Sequence, residues 1–166
     1  KSLRLPLMLP DGTLYRSEIV PTVIARLIGR ILVGEGASQM KYQLKKGKNI
    51  WYSFKMELGE DLGAKYYDSD LREVDPFRIK NPVDAARVFF AYLKYLIIKY
   101  CTENNISIDI LYAVSIPASF EANQRKDLLD ALMANDMKVS KQALIDEPNA
   151  AFISYAVSRA AEDRPM

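Results

Sequence analysis

Lys55, Pro117, Arg125 and Glu147 each combine a chemically useful side chain with a telling position. Lys55 lies in an aromatic and apolar run of Trp51, Tyr52, Phe54, Met56 and Leu58. An ammonium is costly to bury without a partner, so Lys55 either snorkels to solvent or faces an anion. Glu147 follows a strand-like run from Val139 to Ile145 and precedes Pro148, which sets it at the mouth of a sheet and at a helix start. There it either complements the helix dipole or faces a ligand. Pro117 closes the alternating run Ile108, Ile110, Tyr112, Val114, Ile116. Arg125 lies one turn into the helical segment that follows, from about Glu121 to Asn135, as either a solvated residue or a functional one.

The elements that position these residues follow from pattern. Strand, helix, strand and helix in that order from Ile108 to Tyr155 predict a βαβ unit with parallel strands. Ligands of such sheets sit beyond the carboxyl ends of the strands, where Pro117 and Glu147 fall. Upstream, Asn81 is a good N-cap, Pro82 suits the first helical position and Asp84 sits near the positive dipole end. Val83, Ala86, Phe90, Leu93, Ile97 and Tyr100 then recur at helical spacing until Asn104-Asn105, with Phe89 and Leu96 widening the stripe. Val88, Tyr92 and Ile98 outside that stripe predict contact on more than one side. Leu3, Leu5, Leu7 and Leu9 alternate as a strand, and Pro6 favours an edge. Pro10-Asp11-Gly12 is a turn; Val20 to Arg26 and Arg30 to Val33 read as strands joined at Gly29. Gly34-Glu35-Gly36 reads as a plain turn, since no Gly-Lys-Ser/Thr follows. Residues 57–82 read as polar loop.

Composition removes several functions. The chain has no histidine, so a Ser-His or Cys-His nucleophile and a His-ligated zinc are impossible within it. Its one cysteine, Cys101, rules out an internal disulfide and suits a reducing compartment. A net charge of +2 is too balanced to imply a nucleic-acid or membrane partner. Residues 85–101 carry Arg87, Lys94 and Lys99 and so do not span a bilayer, and no signal peptide is visible; a cytoplasmic protein is expected. Lys41 to Lys55 mixes lysines with Tyr42, Trp51, Tyr52 and Phe54. That pattern suits a nucleic-acid stacking platform, or a turn with solvated lysines and core aromatics.

Ser115–Ala131 (SIPASFEANQRKDLLDA) and Leu144–Tyr155 (LIDEPNAAFISY) resemble the ATPase domain of the seventy-kilodalton heat-shock proteins, DnaK-type chaperones of the actin-like ATPase superfamily. Ile116-Pro117-Ala118-Ser119-Phe120, Gln124-Arg125 and Asp146-Glu147-Pro148-Asn149-Ala150-Ala151 carry the likeness. Val20-Pro21-Thr22-Val23-Ile24-Ala25, Leu32-Val33-Gly34 and Ser53-Phe54-Lys55-Met56-Glu57-Leu58-Gly59 extend it upstream in the family's order. It covers the chain from about Leu14 to Tyr155. The departures are Ser119 for tyrosine, Asp146 for asparagine, Asn149 for threonine and Met56 for a basic residue, which suggest a divergent member.

The resemblance implies an α/β fold of the actin-like (ribonuclease H-like) kind, a mixed sheet flanked by helices with a small α+β outer subdomain. The core would take residues 1–26 and 82–166, the outer subdomain 27–81. It implies that Lys55 is the catalytic lysine near the γ-phosphate and that Glu147 holds magnesium through bound water, with no direct metal ligand. Pro117 and Arg125 are implied to be the proline switch and arginine relay that pass the nucleotide state to a substrate-binding domain. ATP/ADP and Mg2+ are the implied cofactors of the complete protein, and unfolded clients and co-chaperones its partners. The family's two glycine-rich phosphate hairpins do not occur in this sequence, which reads as the first lobe without either, so weak or no ATP binding by the chain alone is expected. The alternatives are an actin- or MreB-like cytoskeletal ATPase, or a nucleic-acid-binding module through residues 41–55.

Overall fold

The computed structural model describes residues 3–59, 67, 78–139 and 144–146. They form a mixed α/β arrangement of small sheets and helices. An antiparallel hairpin pairs β1 (Leu5–Met8) with β2 (Leu14–Ser17), Leu7 opposite Tyr15. Its turn works as the residue types predict: Gly12 takes φ +87°, and the Asp11 carboxylate accepts from the Thr13 amide at 2.9 Å and hydroxyl at 2.7 Å. The second sheet has the order β4 (Arg30–Val33), β3 (Val23–Leu27), β5 (Ile50–Tyr52), all antiparallel. The third pairs β6 (Val114–Ile116) with β7 (Leu144–Asp146) in parallel, Ile116 opposite Asp146. With α4 (Ala122–Met133) between those strands, the expected βαβ order is present.

Among the described residues the strands fall into three separate ladders, compatible with the expected α/β class. The hairpin and the parallel pair both find apolar cover on the long helix α3 (Pro82–Glu103), through different side chains. Leu5 and Leu7 cluster with Leu96, while Ile116 clusters with Ala85, Ala86 and Phe89. The strand expected over residues 108–116 is paired in a ladder only from Val114, with one bridge at Leu111. Ser107 Oγ takes the Asp109 amide at 3.2 Å, a local bond that competes with a ladder, and Ile108 and Leu111 stay exposed.

Helix α3 starts where its cap predicts, with Asn81 Oδ1 accepting from the Asp84 amide at 2.7 Å. Its buried side chains include Ala86, Phe89 and Leu96 of the predicted stripe, whose Phe90, Leu93 and Ile97 are half-buried, and Ala85 and Val88 beside it. Contact on several sides, as Val88 predicts, widens the buried face: α2 (Phe54–Glu57), α4 and β1 all pack on it. Asn135 Nδ2 donates to the Arg87 carbonyl at 2.9 Å, and Lys94 Nζ donates to the Asn135 carbonyl at 2.6 Å, which fastens α4 to α3. The short helix α1 (Glu35–Ser38) replaces the expected turn after Gly34, whose φ is +88°. A Cβ at Gly36 would collide with the Met8 carbonyl oxygen, so only glycine lets α1 approach β1 this closely.

Burial leaves a mark on titration. Desolvation raises the pKa of Tyr15, Tyr67, Tyr92 and Tyr112, and in Tyr67 the neighbouring Glu57 carboxylate raises it further. Each hydroxyl titrates near 10 when unfolded, so its contribution to stability is complete below about pH 10 and declines as pH rises beyond it. Absorbance at 295 nm on the folded chain should therefore show tyrosinate forming later than in the denatured chain. Superimposable titrations would contradict the burial described.

Candidate functional site

The carboxyl ends of β6 and β7 lie side by side, with Ile116 opposite Asp146. Pro117 ends β6, and its carbonyl accepts from the Phe120 amide at 3.0 Å, a tight turn that leads into α4. The helix is capped by Gln124, whose Oε1 accepts from the Glu121 amide at 2.8 Å. Arg125 then crosses back over the strand ends. Its Nε donates to the Phe120 carbonyl at 3.2 Å and its Nη2 to Asp146 Oδ1 at 3.1 Å. One guanidinium thus ties the turn after Pro117 to the last residue of β7. The ion pair is about one-third exposed on each side, so its geometry matters more than its contribution to stability, about 0.2–1 kcal/mol at most. Arg125, with Lys126, Asp130 and Leu144, also lines an open groove beside α4. Glu147, the next residue, lies outside the described residues.

Lys55 sits on α2, which begins at Ser53 with φ +61° and is anchored by the buried Phe54. The Phe54 ring meets Phe89 of α3 edge-on, centroids 6.0 Å apart. Half-buried, Lys55 lines a cavity of about 150 Å³ with Thr22, Phe54, Phe89, Val114 and Ser115. Val114 and Ser115 belong to the strand that ends at Pro117. The structure therefore brings Lys55 to the body of β6 and Arg125 to its end.

Two contributors, Asp127 and Asn123, escape the sequence. Gly59, with φ +81°, donates its amide to Asp127 Oδ2 at 2.8 Å, and its carbonyl accepts from Asn123 Nδ2 at 3.3 Å. This clasp fastens the segment after α2 to the helix of Arg125. Gly59 is visible as a glycine after the apolar Leu58; nothing marks Asp127 or Asn123, which look like solvated helix residues. A Cβ at Gly59 would stand 2.7 Å from Asn123 Nδ2 and 3.0 Å from Gln124 Cγ. Gly59→Ala should destabilise the chain by about 1–3 kcal/mol, from the positive φ and the displaced clasp. Urea unfolding measures it, and an unchanged midpoint would show that the clasp carries no energy.

The chain is similar to the protein named chaperone protein HscA homolog in Burkholderia cenocepacia (strain HI2424) and in Burkholderia orbicola (strain AU 1054). Each is 27% identical over 170 residues, 95% of this chain and 26% of the relative. The chain thus spans about a quarter of the length of the curated relatives it matches. No family model matches it. No helix among the described residues is long and apolar enough to cross a membrane, and Cys101 is buried and free.

Proposed function

We propose that the chain is part of a chaperone ATPase of the seventy-kilodalton heat-shock type, an actin-like lobe whose residues read the nucleotide state and relay it. The observation that carries this reading is the Arg125 junction, which ties the turn after Pro117 to the strand end before Glu147. The similarity to the two HscA homologs along nearly the whole chain supports it. Lys55 and Glu147 are the proposed catalytic pair, Pro117 and Arg125 the relay. The core at residues 1–26 and 82–166, the outer subdomain at 27–81 and a cytoplasmic setting belong to the same proposal.

Mg-ATP is proposed for the complete protein. Among the described residues no three His, Cys, Asp or Glu side chains converge to hold a metal ion. The Lys55 cavity, about 150 Å³ and largely apolar, is smaller than a nucleotide needs. The described residues therefore fit as one face of such a site and do not make the whole pocket. Bound there, the nucleotide would supply the phosphoryl chemistry. Lys55 would offer it a point cation beside the Thr22 and Ser115 hydroxyl groups, and Arg125 would hold the two strand ends in one register.

The Asp146 departure from the family pattern acquires a role here. A carboxylate gives Arg125 an ionic partner where asparagine would give a neutral one. In the full-length protein, Arg125→Ala should leave ATP turnover within a few-fold of normal while ATP no longer changes the release rate of a bound unfolded peptide. Anisotropy of a labelled peptide reads the release. A variant with intact ATP-driven release would remove Arg125 from the relay.

A further inference from the structure

Residues 36–56 contain lysines at 41, 45, 46, 48 and 55 and no aspartate or glutamate, whereas the whole chain carries only +2. The rest of the chain is thus net acidic, and positive charge is concentrated in this segment. Its lysines are partly held in place. Lys41 and Lys46 put their ammonium groups 4.8 and 4.6 Å from the centroid of the Tyr52 ring. Cation–π attraction draws two like charges to one ring, against their mutual repulsion. Among the described residues the carboxylate that reaches this group is Glu57, 3.3 Å from Lys46 Nζ. Glu57 is shared, because the Tyr67 hydroxyl donates to its second oxygen at 2.7 Å. Lys41 and Lys45 are exposed, so among the described residues the surface keeps a surplus of positive charge.

The aromatic side chains decide what kind of anion this surface suits. A stacking track for single-stranded nucleic acid needs successive open rings. Trp51 and Phe54 are each only 2% exposed, and Tyr52 has two ammonium groups over it; Tyr42 is the open ring of the stretch. Carboxylates need no ring, only point cations at a spacing that several acidic side chains can follow. We propose that Lys41 and Lys46, held over Tyr52, together with the exposed Lys45, form a docking surface for an acidic polypeptide segment of a partner protein. Binding is electrostatic, rim-exposed and salt-sensitive.

A fluorescein-labelled oligoglutamate peptide, titrated with the 166-residue chain, tests this by anisotropy. Saturable binding at low salt that fades toward about 0.15 M salt is expected. Lys41→Gln with Lys45→Gln should weaken it roughly tenfold, the loss of two exposed charge contacts. Lys45→Gln alone, at an exposed position, should weaken it in the same direction and guards against a folding defect in the double variant. An oligothymidylate of equal charge is the comparison arm, with Tyr42→Ala as its diagnostic variant. The proposal fails if the peptide does not bind at low salt or if both lysine variants bind it as the parent does. It also fails if the oligothymidylate binds more tightly and loses that affinity in Tyr42→Ala.

Discussion

Lys55→Ala in the full-length protein should lower ATP turnover by about a hundredfold to a thousandfold, the range for removing one preorganised charge from a developing negative centre. Nucleotide affinity should change little. The distinction follows from where the charge is needed. Phosphoryl transfer involves little covalent work by the protein, so a lysine acts by stabilising charge that spreads over the phosphoryl oxygens as the bond breaks. That interaction strengthens in the transition state and so appears in turnover more than in binding. The side chain is half-buried on a helix that the buried Phe54 anchors, which restricts how far its ammonium can wander. Single-turnover hydrolysis and calorimetric nucleotide binding separate the two effects. Unchanged hydrolysis would remove Lys55 from the mechanism.

Phe54→Ala should cost about 3–5 kcal/mol, the usual loss for truncating a buried phenylalanine. That is a large share of a domain's stability of about 5–15 kcal/mol. Phe54 is 2% exposed, packs edge-on against Phe89 and forms part of the cavity that Lys55 lines. The existing void shows that neighbouring groups have not collapsed into this region, so truncation enlarges a cavity instead of closing it. Trp51, the chain's single tryptophan, is buried three positions away and reports unfolding by fluorescence. Met56→Ala, two positions on but 58% exposed, is the control and should stay within about 0.5 kcal/mol of the parent. Equal midpoints for the two variants would mean that Phe54 does not hold α2 in place. Because Phe54 and Lys55 share a four-residue helix, loss of the first should also loosen the second.

The clasp at Gly59 gives these two results a common frame. It joins the α2 segment to α4 through Asp127 and Asn123, while Arg125, on the same helix, reaches the strand ends. The residue proposed to face a phosphate and the residue proposed to relay its state are therefore fastened to one rigid element. This connection explains why a glycine follows Leu58: the clasp needs both a positive φ and room for the Asn123 side chain.

Elements governed by near neighbours in the chain were legible in advance. Asn81 and Pro82 mark the start of α3 because capping involves residues three positions apart, and Asn104 sits where the helix ends. Pro10-Asp11-Gly12 specifies its turn for the same reason, and the βαβ order follows from the change of period between residues 108 and 145. Alternation does not mark the strand at Leu14–Ser17, because its apolar Leu14 is exposed while its polar-tipped Tyr15 is half-buried. Alternation over residues 108–116 overstates the strand, because it cannot register that Ser107 captures the Asp109 amide.

The sequence by itself determined the types and order of the elements, the absence of histidine chemistry and the placement of Pro117 and Arg125 around a strand end. Those depend on local sterics, capping and residue identity. Only the tertiary structure decided that Arg125 pairs with Asp146, that Asp127 clasps Gly59 from 68 positions away, and that Lys55 shares a cavity wall with β6. Such contacts depend on which faces pack together. Periodicity specifies which face of an element is apolar but not which distant partner will cover it.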